Sequence, residues 1–199
     1  MKKRLLLSTL LVSSYSIANP CLETQPALNY VTEGERYGTL KATELSAQQH
    51  ADLLSLMKSL AGQWQGETLG YSCVGSDSSP QQNSFAYTVS LNFAQPTPMR
   101  LQAKLDAANQ QQHAIRHNQL TLIAKDNVLR VDETNDAGNI QIDALSNQQL
   151  NSWSLSRSGV VSHALKRDIQ LLGRQLVVTT TVYSNGRLSS YHQSKLNRR

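Results

Sequence analysis

Residues 83–93, NSFAYTVSLNF, alternate without a fault. Phe85, Tyr87, Val89, Leu91 and Phe93 take one parity; Ser84, Ala86, Thr88, Ser90 and Asn92 take the other. Successive side chains of a strand point to opposite faces, so this pattern makes a strand with one buried and one wet face. Residues 99–107, MRLQAKLDA, repeat it, with Met99, Leu101, Ala103 and Leu105 against Arg100, Gln102, Lys104 and Asp106. The QPTP between the two runs is a turn, because proline donates nothing to a ladder.

Further strands are expected at 119–124, 127–133, 139–144, 149–157, 162–172, 175–184 and 187–196. NDAGN (135–139), LLGR (171–174) and SNGR (184–187) read as hairpin turns, and Asn185-Gly186 is the strongest such signal in the chain. Residues 107–119 show no clear period and read as a loop or a short helix. His113 and His117 within them are four apart and read as two solvated histidines, not a metal pair.

Nine or ten strands with short connections leave no room for the helical crossovers of a parallel sheet. An antiparallel meander of this count closes into a barrel, because closure removes the exposed edges. A two-sheet sandwich is the alternative. One short helix precedes the strands, over 46–61. Ser46 caps it, with Gln49 as the capping-box partner. Leu53, Leu56, Met57 and Leu60 form its apolar stripe, and Gly62 ends it.

The N-terminus reads as an export signal, residues 1–18. Lys2, Lys3 and Arg4 precede an apolar run from Leu5 to Val12, and Ser16 and Ala18 stand at the small-residue positions of a cleavage site near Ala18. The run is too short to span a membrane. The expected location is the periplasm or the exterior. The chain has 19 basic and 14 acidic residues, and loss of the three signal cations leaves a net charge of +2. Basic residues are scattered, so no nucleic-acid footprint is present. The remaining residues, about 180, suit one domain with a sizeable core. It divides into an irregular segment over 19–45 and a barrel domain over 46–199. Two cysteines, Cys21 and Cys73, are expected to pair in an oxidising compartment. Across some fifty residues that link is worth about 3–4 kcal/mol in the chain-entropy model. Lipidation of Cys21 and a pair of free thiols are the alternatives; Pro20 before the cysteine is wrong for a lipid-attachment signal.

A short helix, then Gly62-Gln63-Trp64 at the start of the first strand, then an antiparallel meander: this resembles the calycin superfamily, the lipocalin-like barrels. The resemblance covers residues 46–198. It implies that Trp64 packs across the closed end of the barrel and meets an arginine from the last strand, with Arg198 the choice over Arg187. It also implies a barrel interior that takes a small ligand. The Thr-Asp-Tyr signature of lipocalins is absent, so no specific family follows.

Polar residues on the apolar parity of a strand face such an interior. Strand 162–172 offers His163, Leu165, Arg167, Ile169 and Leu171; strand 187–196 offers Leu188, Ser190, His192, Ser194 and Leu196. A buried guanidinium needs a partner, either an internal carboxylate or an anionic ligand. Tyr87, His163, Arg167 and His192 are therefore the candidate ligand-binding residues. Trp153 shares a face with Leu155 and reads as core. No nucleophile elbow, phosphate loop, His-Glu-x-x-His or paired-cysteine signature is present, so no catalytic residue, metal site or cofactor is assigned, haem included. The reading is a non-enzymatic periplasmic barrel for a small apolar or amphiphilic ligand. The alternative is a scaffold or inhibitor barrel that acts on an envelope protein partner through its surface.

Overall fold

The computed structural model describes residues 19–30, 39–76, 78–109, 114–133, 136–158 and 161–199. The proposed signal over 1–18 and His113 lie outside these residues. Ser46 caps helix α1 (Ala47–Leu60) through a complete capping box: its hydroxyl accepts from the Gln49 amide, and the Gln49 side chain accepts from the Ser46 amide. Leu53, Leu56, Met57 and Leu60 are its buried residues.

Eleven strands follow, β1 (Gly62–Ser76), β2 (Ser79–Thr97), β3 (Arg100–Ala108), β4 (Ala114–Lys125), β5 (Val128–Glu133), β6 (Asp136–Asn139), β7 (Gln141–Leu145), β8 (Gln149–Ser158), β9 (Val161–Leu172), β10 (Gln175–Ser184) and β11 (Arg187–Arg198). Every consecutive pair from β1 to β6 and from β7 to β11 is antiparallel, and β1 also pairs with β11. The result is one up-and-down barrel, nearly closed.

The closure is made in an unusual place. β6 pairs with β5, and β7 pairs with β8. One residue, Ile140, separates β6 from β7. Residues 136–145 therefore form one run of chain that changes partner at Ile140. The count exceeds the nine or ten strands expected because NDAGN, read as a turn, pairs with β5 as β6. Pairing to a neighbour overrides the turn preference of Gly138 and Asn139. The 107–119 stretch is likewise strand from Ala114 onward.

Three hairpins carry left-handed turn residues: Asn185 and Gly186 join β10 to β11, Asp126 and Asn127 join β4 to β5, and Gly173 lies between β9 and β10. Gly66 and Gly70 serve a different purpose. A Cβ at Gly66 would lie 2.0 Å from the Lys195 carbonyl oxygen, and one at Gly70 would lie 2.4 Å from that of Tyr191. β1 coils against β11 at these points so closely that only glycine fits.

Register and burial define the inside. Val89, Leu91, Phe93, Leu101, Leu122, Leu129, Leu150, Ile169, Leu176 and Leu196 form one core with the buried face of α1. The helix thus plugs one end. Trp64 is only 1% exposed in that plug. Its indole N–H donates to the Leu60 carbonyl at 2.8 Å. The Arg198 guanidinium stacks over its ring at 5.1 Å and donates to the carbonyls of Ser59 and Ala61.

The N-terminal segment lies on the outside. Cys21 and Cys73 are joined by a disulfide. Leu28 and Leu40 cover an outward apolar patch of Trp153, Leu155, Ala164, Tyr183 and Leu188. Trp153 is buried, but beneath this strap and not in the barrel core. Leu188 also leaves the inward set assigned to it. The register shifts between Val182 and Tyr183, so Val182 pairs with Ser190 while Tyr183 pairs with Leu188. The extra residue, Ser189, turns Leu188 to the outer face.

Candidate functional site

Away from the plug the inner face changes character. The pairing registers arrange its residues in rows across the sheet. The deepest mixed row runs Tyr87, Thr68, Ser194, Val178, Ile169, Leu150 from β2 through β1, β11, β10 and β9 to β8. Thr68 and Ser194 in it are buried, and their hydroxyls bond each other at 2.7 Å. This pair satisfies two polar groups at the level where the apolar core stops.

The next row outward runs Phe85, Gly70, His192, Thr180, Arg167, Ser152. Here Arg167 and His192 flank Thr180 on adjacent strands, so they lie roughly 10 Å apart across the sheet. Arg167 donates to the Ser154 hydroxyl at 3.0 Å. Thr180, Ser152 and Ser154 are buried, which places a hydroxyl field round the guanidinium. Phe85 stacks on Tyr87 with centroids 5.6 Å apart and tilts toward His192 at 6.4 Å. Gly70 stands between Phe85 and His192 in the row and contributes no side chain.

Farther from α1 come Ser72, Ser190, Val182, Leu165 and Ser154, then Ser184, His163 and Ser156. The His163 imidazole Nδ1 and the Ser184 hydroxyl are 2.9 Å apart. Of the four residues singled out from parity, Arg167 and His192 share one row. Tyr87 lies one row deeper, beside Phe85. His163 sits nearer the rim, four residues along β9 from Arg167. All four lie on the inner face by register.

Parity places Ser190 and Ser194 inward with His192, but it gives no direction for Ser152, Ser154, Ser156 and Thr180. These carry no apolar signal, so their inward direction emerges only from pairing with Arg167, Leu165, His163 and His192. The arrangement suits binding through hydrogen bonds and one cation above an apolar floor. Among the described residues no group of three His, Cys, Asp or Glu is placed to hold a metal ion. No helix there is long and apolar enough to cross a membrane.

Fold and site together define an eleven-strand antiparallel barrel with one end plugged and the other lined by polar side chains. It is similar to the crystal structure of Rv2717c from M. tuberculosis, with a TM-score of 0.47 and 15% identity, over 78% of this chain and 99% of that one. No family model matches the chain, and no curated protein matches it.

Proposed function

We propose that the protein is a lipocalin-like barrel that binds a small amphiphilic molecule in its open half, without catalysis. The observation that supports this most is the division of the inner face. Apolar residues fill the half next to α1, and Arg167 with its hydroxyl neighbours begins where the Thr68–Ser194 pair ends it. A ligand with an acidic group would place that group by Arg167 and lay its apolar part over Leu165, Val182, Phe85 and Tyr87. Charge-assisted hydrogen bonds to a guanidinium are about twice as strong as neutral ones.

The test is calorimetric titration of the purified protein with dodecanoate, dodecanol and dodecylamine. Dodecanoate is expected to bind at least about tenfold more tightly than the alcohol, the value of one charge-assisted bond. Arg167→Gln removes that preference. Binding of none of the three, or equal binding by wild type and variant, rejects the reading. We also read the chain as exported. Its mature form, recovered from a periplasmic extract, would then begin near Asn19; a chain found only with residues 1–18 attached opposes this.

A further inference from the structure

The barrel has a weak line, and the N-terminal strap lies along it. The weak line is the partner switch at Ile140. β6 is four residues long and β7 five, and each is held on one flank by a different neighbour. A ladder this short gives little cooperative resistance to opening.

The strap makes good the missing bonds. The Thr43 amide donates to the Ile140 carbonyl at 3.2 Å, and the Ile142 amide donates to the Thr43 hydroxyl at 2.8 Å. The Leu45 amide donates to the Asn127 carbonyl at 2.8 Å, in the turn before β5. The Asn139 side chain donates to the Leu40 carbonyl at 3.0 Å. Residues 40–45 thus bond to both sides of the switch.

The earlier part of the strap holds this stitch in place. The Lys41 amide donates to the Asn29 carbonyl, and Tyr30 bridges to Leu40. Upstream, Gln25 and Glu23 bond to Gly186 and Leu188 of the β10–β11 hairpin, and the Tyr183 hydroxyl donates to the Glu23 carboxylate. The covalent end is Cys21–Cys73. Cys21 is buried and Cys73 is only half-buried. A surface crevice beside the pair is lined by both cysteines, Gly75, Pro80 and Arg187.

We propose that residues 19–30 and 39–45 are a latch that holds the β6–β7 seam shut, with the Cys21–Cys73 disulfide as its pin. A dithiol reductant withdraws the pin. Its thiolate attacks the Cys73 sulfur through the crevice, and the S–S bond breaks with Cys21 leaving as thiolate, which takes up a proton. The reductant's second thiol then displaces Cys73 from the mixed disulfide. Two electrons pass to the protein, and the reductant leaves as its own disulfide. Among the described residues, the strap is then held by hydrogen bonds, by Leu28 and Leu40 on the outer patch, and by Leu45 in the core. It dissociates locally far more often than when tethered, and the seam opens with it.

The test is amide hydrogen exchange on the full mature chain, oxidised and after dithiothreitol, with the thiol state checked by intact mass. Reduction is expected to speed exchange about tenfold or more in peptides covering 39–45 and 136–145. Peptides covering 64–72 and 87–93 keep their protection. Unchanged seam protection in verified reduced protein overturns the proposal. So does uniform loss everywhere, since the disulfide would then hold the whole fold and not a latch. Thr43→Val, with the disulfide intact, gives an independent reading. It removes the acceptor for the Ile142 amide, so exchange there should quicken while 64–72 is unaffected; no change at Ile142 rejects the stitch.

Discussion

Replacing Gly66 by alanine probes how tightly the barrel closes on itself. Gly66 faces inward on β1, opposite Leu196 of β11 and Val89 of β2. The added methyl would lie 2.0 Å from the Lys195 carbonyl oxygen and 3.0 Å from the Leu196 Cα. An unstrained carbon–oxygen contact is about 3.3 Å or longer. The obstacle is backbone, so no rotamer change relieves it, and β1 and β11 must part by about 1 Å. Overpacking of this kind costs about 1–3 kcal/mol. Two ladder bonds weakened by the separation add about 1 kcal/mol each. The expected loss is about 3–5 kcal/mol.

Gly173→Ala is the control. Gly173 has a positive φ of 64° but open space around its Cβ position. It should lose only the left-handed penalty, about 1 kcal/mol. Urea unfolding followed by tryptophan fluorescence separates the two, since Trp64 lies two residues from Gly66. With a slope of about 2 kcal/mol/M, the midpoint should fall by about 1.5–2.5 M for Gly66→Ala and about 0.5 M for the control. An equal or smaller fall at Gly66 would refute the close approach of the first and last strands.

Arg198→Ala removes the guanidinium from Trp64 and from two helix-end carbonyls. Discounted for its exposure, the loss is about 1–2 kcal/mol, or a Tm lower by about 4 °C in calorimetry. Arg198→Lys should recover little of it, because an ammonium cannot stack and fork together; full recovery by lysine would show that charge alone matters. Alkaline pH should loosen the strap. Burial, and then the bond to Glu23, raise the Tyr183 phenol well above its ordinary 10.0. The folded state keeps a proton that the unfolded chain releases near pH 10, so the stabilisation holds below pH 10 and is lost as pH rises beyond it. Tyr183→Phe abolishes this added alkaline sensitivity, measured as urea midpoint against pH; an unchanged profile in the variant rules out Tyr183 as its source.

Much of the architecture was written in local patterns. The Ser46–Gln49 box and the Leu53–Leu60 stripe mark α1, and perfect alternation in β2 and β3 marks a sheet with one wet face. The rest depends on contacts distant in the chain. β6 looked like a turn because Gly138 and Asn139 favour one, and only pairing with β5 makes it a strand. By alternation Leu188 belongs with Ser190 and His192, because a single extra residue at Ser189 leaves no mark in a pattern of twos. Trp153 read as core because alternation reports burial and not what does the burying; the cover is the strap. The inner face of β9 and β11 was legible because Leu165, Ile169 and Leu196 bracket Arg167 and His192. The serine wall of β8 was not, since serine suits either face.

The first and last strands pair, with Trp64 opposite Arg198, so the sheet cannot be completed until β11 is in place. Cys21 and Cys73 both belong to the early part of the chain. In a chain that enters an oxidising compartment N-terminus first, they can meet before β8 to β11 arrive. The strap is then moored beside β1 before Trp153, Tyr183 and Leu188 arrive to be covered. Order of arrival, and not only final geometry, would favour a cover already waiting at the place where the last strands dock.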